Sequence, residues 1–166
     1  RHKRGSTMNS ILKADIDVGT RPTVTTFFDE PTNTLSYVVQ DPDSTACAVI
    51  DSVMNLDYPS GSISFSGADQ IIAFIAENKL DVEWILETHV HADHLSAAPY
   101  IQQRLGGKIA IGANISAVQQ TFADVFNAGE GFARDGSQFD LLLADGDPIK
   151  VGGMTGLALH TPGHTP

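Results

Sequence analysis

THVHADH, residues 88–94, places three of the six histidines of this chain within six positions and adds an aspartate among them. The segment follows VEWIL, residues 82–86, a short and mostly apolar run that is typical of a β-strand. Side chains two positions apart on an extended chain point the same way, so His89 and His91 can converge on one ion. Imidazole and carboxylate groups bind zinc, iron and manganese well, and such a concentration of them has no evident use in packing. The segment therefore predicts a metal site at the end of a strand.

The remaining residues of the candidate site are Asp93 and His94 in the same segment and His164 near the end of the chain. Asp93 and His94 fall where we expect the strand to give way to a helix. Their side chains can therefore face a point next to the one on which His89 and His91 converge. His164 lies in TPGHTP, residues 161–166, where two prolines stiffen the backbone and Gly163 permits a close approach or an unusual φ. Such a loop can present one imidazole in a fixed orientation. We expect His164 to meet the mid-chain cluster around a shared cation.

Four polar residues near these segments have less specific interpretations. His160 belongs by alternation to the strand before the second histidine segment, which indicates a structural role or a hydrogen bond to a ligand residue. Asp51 follows an apolar run and could either orient a ligand histidine or close its strand with a turn. Asp145 and Asp147 lie in a DGDP turn that explains both of them.

The composition bounds the class of protein. The chain has 166 residues, of which 42% are hydrophobic and 18% are charged, as in an ordinary globular domain. A formal net charge of −10 argues against a nucleic-acid partner, because phosphate binding needs clustered Lys and Arg. No apolar run approaches the roughly 20 residues of a membrane-spanning helix, so we expect no membrane partner.

The single cysteine, Cys47, excludes an intramolecular disulfide and fits a reducing compartment such as the cytoplasm. Its apolar neighbours in ACAVI predict a buried structural thiol, and no basic neighbour in sequence favours a reactive one. Residues 1–7, RHKRGST, are basic without a following apolar run, which indicates a vector-derived leader rather than a secretory signal. A short transit peptide is the alternative. The domain is expected to begin at Met8.

The spacing of apolar and turn residues predicts strands, then alternating helices and strands, then strands again. This order favours a mixed α/β (α+β) sheet with helices on its outer face. Asp69 is the expected N-cap of the first helix, and Pro99 must lie early in the second or kink it. The predicted strands lie at 35–40, 46–52, 82–86, 108–112 and within 139–163; the helices at 69–80, 94–107 and 115–126; the loops at 55–67 and 127–138; and tight turns at 41–45, 145–148 and 152–156.

The two histidine segments carry a family resemblance. THVHADH fits the His-x-His-x-Asp-His signature of the metallo-β-lactamase superfamily, and TPGHTP fits its next histidine motif. Within that superfamily, residues 85–112 and 141–166 resemble most the persulfide dioxygenase (ETHE1-like) branch and less the glyoxalase II branch. Residues 126–143, FNAGEGFARDGSQFDLLL, resemble the bacterial persulfide dioxygenases. The resemblance implies an αββα sandwich, of which residues 8–166 would be the N-terminal half to two-thirds, truncated after the second histidine motif.

The resemblance also implies a cofactor and an activity. One Fe(II) per chain would be held by His89, His164 and an aspartate that comes later in the family's domain than Pro166. His91, Asp93 and His94 would line the site or serve as ligands of a second metal, with Asp93 counted among the catalytic residues. The implied reaction is the oxidation of glutathione persulfide by O₂ to sulfite and glutathione.

Two alternatives use the same residues. A thioester hydrolase of the glyoxalase II kind would hold two metal ions, Zn(II) or iron, one by His89, His91 and His164 and the other with help from Asp93 and His94. A metal-binding module without turnover is the third interpretation. The resemblance further suggests a homodimer, in the bacterial cytoplasm or, for a eukaryotic protein, in mitochondria.

Overall fold

The computed structural model describes residues 19–57, 60–90, 95–119 and 135–164. The proposed leader, residues 1–7, lies outside these ranges. In chain order the elements are β1 (Thr23–Asp29), β2 (Thr34–Gln40), β3 (Ala46–Ile50), β4 (Val53–Asp57), β5 (Ser62–Ser64), α1 (Ser66–Glu77), β6 (Asp81–Glu87), β7 (Leu95–Ser96), α2 (Ala98–Leu105), β8 (Lys108–Gly112), β9 (Leu141–Leu143), β10 (Pro148–Val151) and β11 (Met154–Leu157).

The main sheet has six strands in the order β1-β2-β3-β6-β8-β9. The first three strands are antiparallel neighbours, whereas β3, β6, β8 and β9 run parallel to one another. Parallel neighbours need crossover connections, and α1 and α2 supply them on the way to β6 and β8. The predicted mixed α/β fold and the predicted 41–45 hairpin between β2 and β3 are confirmed.

The hydrophobic core lies between the sheet and the two helices. Ile71 and Ile75 are four positions apart on α1, so they share one helix face, and Ile101 of α2 lies in the same cluster. The sheet contributes Val49 of β3 and Ile85 of β6, and all five side chains are at most 1% exposed. Burial of each such side chain stabilises the fold by about 1.5–3 kcal/mol.

The opposite face of the sheet is covered in part by the β10–β11 hairpin. Val151 and Met154 pack against Ala48, Trp84 and Leu86, which are the side chains that alternation directs away from the helices. The hairpin is thereby a second layer on the central strands β3 and β6.

Hydrogen bonds fix this hairpin to the sheet. The Trp84 indole N–H donates to the Lys150 carbonyl at 2.8 Å. The Gly153 N–H donates to Asp41 Oδ2, also at 2.8 Å, and this bond is the first cause of the lowered pKa of Asp41. A hairpin from late in the chain is therefore tied to the β2–β3 turn.

Two parts of the sheet structure differ from the sequence prediction. Residues 55–67 were expected to be a loop, but β4 and β5 pair across this region and β4 also pairs with β7. The prediction was wrong because the serine-rich β5 lies at an edge, where all three of its residues are exposed and no apolar alternation is required. β1 was not predicted, although its Thr- and Phe-rich sequence favours a strand.

The predicted N-cap of α1 is also wrong. The helix begins at Ser66, and Asp69 lies in its first turn, where its carboxylate accepts a hydrogen bond from the Tyr100 hydroxyl at 2.6 Å. The free N–H of Gly67 instead donates to Asn55 Oδ1 at 3.1 Å. The side chain of Asn55 on β4 thus accepts a hydrogen bond from the N-terminal end of α1, a role that the sequence had suggested for Asp69.

Other element bounds are shorter than expected. The helix predicted at 94–107 is α2, with Pro99 in its first turn as expected, and residues 95–96 pair with β4 instead. The turn predicted at 152–156 occupies residues 152–153 only. Residues 115–119 are helical, and the rest of the helix predicted at 115–126 lies outside the described ranges. Among the helices described, none has both the length and the apolar character needed to cross a bilayer.

Candidate metal centre

The candidate site lies where the parallel strands end. β6 ends at Glu87, and the chain bends at Thr88 and His89 instead of continuing as an extended strand. Loops at the carboxyl edge of a parallel sheet are held by a rigid frame and commonly carry functional groups. Strand alternation therefore ends before His89, and His91, whose convergence with His89 was expected from that alternation, lies outside the described residues.

His89 and His164, which are 75 positions apart in the sequence, lie against each other. Their ring centroids are 5.1 Å apart and the rings are nearly perpendicular, at 86°. Two imidazoles bound to one ion through nitrogens at about 2 Å, each with its ring centre roughly 1 Å further out, would have centroids about 4.5–5.2 Å apart. The observed pair fits this requirement, so these two side chains could hold one metal ion together.

Three further ligands are predicted in the segment that follows His89. His91, Asp93 and His94 lie outside the described residues, and their roles stay predictions. Within the ranges that the structure describes, no group of three or more histidine, cysteine, aspartate or glutamate side chains is close enough to hold a metal. The described part of the site therefore consists of the pair His89 and His164.

Asp51 connects the end of β3 to this pair. Its carboxylate accepts two hydrogen bonds from Thr88, from the backbone N–H at 2.7 Å and from the hydroxyl at 2.6 Å. Thr88 Oγ1 in turn lies 2.9 Å from His89 Nδ1. Asp51 also follows β3 directly, in a bend with a positive φ of 51°, as the strand-closing interpretation predicts, while the orientation of a ligand histidine stays a prediction. It reaches the histidine through Thr88.

Glu87 is a buried acid that the sequence analysis did not identify. It is the last residue of β6, is 8% exposed and accepts a hydrogen bond from Ser96 Oγ. Burial raises the pKa of Glu87 to about 8, against the lowering effect of the Ser96 hydrogen bond and with a smaller raising effect from Asp51. The available signal was its position two residues after Ile85, on the same inward face of the strand.

A cavity of about 250 Å³ adjoins His89 and is lined by residues from β8, β9 and the segment after β11. His160 lies on its wall, beyond the end of β11, so its expected place within a strand is wrong. Its backbone N–H donates to Asp145 Oδ1 at 2.8 Å, and Asn114 Nδ2 lies 3.1 Å from its Nδ1. The cavity offers space for a small ligand beside the histidine pair.

Gly163 precedes His164 and was expected to permit a close approach or an unusual φ; an approach to residues 91–94, which lie outside the described ranges, stays a prediction. Gly163 is absent from the residues with positive φ, and a Cβ built on it would meet no atom of the described residues within 4 Å. His164 itself is exposed. The close approach that places its ring near His89 therefore depends on the path of the loop.

Cys47 fits the predicted structural role. It is fully buried in the core between sheet and helices. Burial raises the pKa of its thiol to about 11, with smaller contributions from the negative charges of Asp81 and Glu83. A thiol held in its protonated form is a poor nucleophile and a poor metal ligand.

Known proteins resemble the chain in sequence and in fold. It is 55% identical over 144 residues to a protein of Burkholderia pseudomallei named "probable metallo-hydrolase", in a match covering 87% of this chain and 49% of that protein. It is 44% identical over 130 residues to Glyoxylase B2 of Dictyostelium discoideum, covering 78% of this chain and 44% of that one. The chain thus spans about half the length, or less, of these relatives.

The crystal structure of ETHE1 from Myxococcus xanthus shares the fold, with a TM-score of 0.54 at 21% identity over 80% of this chain and 45% of that one. The sequence profile of the metallo-beta-lactamase superfamily matches residues 29–166, which include both histidine segments and all the strands from β2 to β11. The chain therefore belongs to the metallo-β-lactamase superfamily.

Proposed function

We propose that this chain belongs to a metal-dependent enzyme whose metal is held in part by His89 and His164. The observation that carries the proposal is the placement of these two rings, 5.1 Å apart and nearly perpendicular, by segments distant in sequence. Neutral imidazole is a good ligand for both iron and zinc, so the donor set fits either metal. The adjoining cavity, lined in part by His89, would receive the substrate.

The finer proposal is a persulfide dioxygenase with one Fe(II) per chain. Its support is the likeness of THVHADH and TPGHTP, and of the sequence around them, to that branch of the superfamily. The reaction converts glutathione persulfide, O₂ and water into glutathione, sulfite and two protons, and the terminal sulfur loses four electrons to oxygen. When bound, iron would supply the redox chemistry and open coordination positions for sulfur and oxygen. The chain itself would contribute ligand geometry and a cavity that shields the reaction.

A two-zinc thioester hydrolase is the second candidate. It is favoured by the names of two relatives, a "probable metallo-hydrolase" and a Glyoxylase B2. In this proposal His91, Asp93 and His94 serve as further ligands beside the described pair. Zinc would supply a hydroxide at neutral pH for attack on the thioester carbonyl.

Metal content and two substrates separate these candidates. One iron per chain, with oxygen uptake on addition of glutathione persulfide and sulfite as product, supports the dioxygenase. Two zinc ions and hydrolysis of a glutathione thioester without oxygen uptake support the hydrolase. Bound metal with neither activity indicates a binding module, and absence of bound iron and zinc after reconstitution contradicts the metal proposal.

Substitution of the two histidines tests the site itself. His89→Ala and His164→Ala should each lose most of the bound metal, because each removes one of the two proposed ligands, whose rings lie 5.1 Å apart. Cys47→Ala is the control and should keep full occupancy, since its side chain is buried in the core. Metal content is measured by elemental analysis on dialysed protein. Full occupancy in both histidine variants would contradict the assignment.

A further inference from the structure

We propose that the Thr88 hydroxyl, oriented by Asp51, holds His89 in the tautomer whose proton is on Nδ1, and thereby turns the Nε2 lone pair toward the metal. The inference deepens the proposed function, since it concerns how one of the proposed ligands is prepared. Thr88 and Asp51 act as positioning residues for His89.

The first step is the placement of Asp51, which is fixed by its own backbone. Its N–H donates to the Leu86 carbonyl at 2.9 Å, and its carbonyl accepts from the Ser36 hydroxyl at 2.6 Å. Ser36 and Asp51 are 4% and 8% exposed, so these bonds are shielded from competition with water. These bonds fix the backbone of Asp51 relative to β6.

The second step is the direction of the bond between Asp51 and Thr88. Asp51 Oδ1 accepts from the Thr88 N–H at 2.7 Å, because a backbone amide can only donate. Asp51 Oδ2 lies 2.6 Å from Thr88 Oγ1, and a carboxylate oxygen accepts there as well. The two contacts use both oxygens and leave the hydroxyl as the donor.

The single proton of the Thr88 hydroxyl decides the direction of its contact with His89. A threonine hydroxyl has one proton to donate and lone pairs to accept with. Since Thr88 gives that proton to Asp51, it can only accept from His89 Nδ1, which lies 2.9 Å away. The proton must then reside on Nδ1. Neutral imidazole carries one N–H, so Nε2 keeps its lone pair, which is the form that binds a metal.

A histidine that binds a metal through one ring nitrogen commonly has its other ring nitrogen held by a hydrogen bond. Loss of that hydrogen-bond partner typically weakens metal binding by about 10- to 100-fold. Here the hydrogen-bond partner of His89 is the Thr88 hydroxyl, and the direction in which that hydroxyl donates is set by Asp51. A change at Asp51 should therefore alter His89 without touching it.

The tautomer can be read directly in metal-free protein from the ¹⁵N chemical shifts of the histidine ring, with the His89 signal assigned by its loss in His89→Ala. Wild type should show the Nδ1–H form. Thr88→Ser keeps the hydroxyl and should keep that form. Thr88→Val has nearly the same shape but no acceptor, and its His89 should become a mixture of both tautomers.

Asp51→Asn is the sharpest variant, because it reverses the direction of the bonds. Its amide oxygen must face the Thr88 N–H, so its NH₂ group faces the Thr88 hydroxyl and donates to it. The hydroxyl then donates to His89 Nδ1, which moves the ring proton to Nε2. We expect the Nε2–H form to dominate, and metal affinity to fall at least tenfold, about the effect of losing such a hydrogen-bond partner.

The outcomes separate this inference from the proposed function. Wild type in the Nε2–H form, or a folded Thr88→Val variant that keeps the Nδ1–H form, overturns the inference even if metal binds. The expected tautomers in all four proteins, with no metal bound by wild type, overturn the proposed function and leave the inference standing. Circular dichroism and the midpoint of unfolding in urea verify that each variant is folded. If Asp51→Asn unfolds, the Thr88→Ser and Thr88→Val pair decides.

Discussion

Replacement of Glu87 by glutamine should make the fold less sensitive to alkaline pH. The carboxyl group is 8% exposed, and burial raises its pKa from 4.5 to about 8. Between these values the unfolded chain releases the proton while the folded chain keeps it, so wild-type stability falls as pH rises through this window. At 1.36 kcal/mol for each pH unit, the loss is about 3 kcal/mol at pH 7 and about 5 kcal/mol at pH 9.

Glutamine keeps the size of the side chain and an oxygen that accepts from Ser96 Oγ, but it has no proton to lose. Urea unfolding of metal-free protein, followed by the fluorescence of the single tryptophan, Trp84, gives the free energy of unfolding at pH 5, 7 and 9. The two proteins should differ by less than about 1 kcal/mol at pH 5, and the Glu87→Gln variant should be more stable by about 3–5 kcal/mol at pH 9.

Glu77→Gln is the matched control, since Glu77 is exposed at the end of α1 and its replacement should change stability by less than about 0.5 kcal/mol at every pH. The same pH dependence in wild type and in Glu87→Gln would refute the reasoning, because the loss would then come from other groups.

Three further outcomes test the fold. Gly152→Ala should destabilise the protein by about 2 kcal/mol or more, because φ is +57° and the new Cβ would overlap Asp41 Oδ2. Gly153→Ala should cost less than about 1 kcal/mol, since its Cβ would meet the same oxygen at 3.6 Å. Urea midpoints measure both losses, and equal losses would contradict the prediction. Asn55→Ala should cost about 1–2 kcal/mol by the same measurement through loss of the bond to the α1 terminus, and no change would exclude that role. Native Cys47 should react with iodoacetamide at least about 100-fold more slowly than in urea, since its pKa is raised from 9.0 to about 11; equal rates would mean an accessible thiol.

The sequence predicted those elements whose signal is local. The strand that leads into the histidine segment, the helix over most of 69–80 and the β2–β3 hairpin follow from apolar spacing and turn residues. The ligand pair His89 and His164 was predicted from residue chemistry, and the structure brings the two rings together while their role as ligands stays a prediction. The remaining predicted ligands fall outside the described residues.

What the sequence could not predict depends on partners distant along the chain. Asn55 contacts the start of α1 only because β4 packs beside that helix in the fold. Asp69, which is close in sequence, was therefore a reasonable but wrong candidate for the N-cap. The indirect link from Asp51 to His89 depends on the parallel register of β3 and β6, which places Thr88 beside the acid. Propensity and periodicity describe one segment at a time and contain no register between segments.

The β10–β11 hairpin has a consequence for the second imidazole. Because Asp41 and Trp84 anchor the hairpin, the chain leaves Leu157 from a defined position, only seven residues before His164. A tether of this length confines the ring of His164 to a small volume around His89, which would amount to a high effective concentration of the second proposed ligand. Detachment of the hairpin alone would free the His164 ring from His89, with the helices and the first histidine still in place, and any ion that the two rings share would then be released.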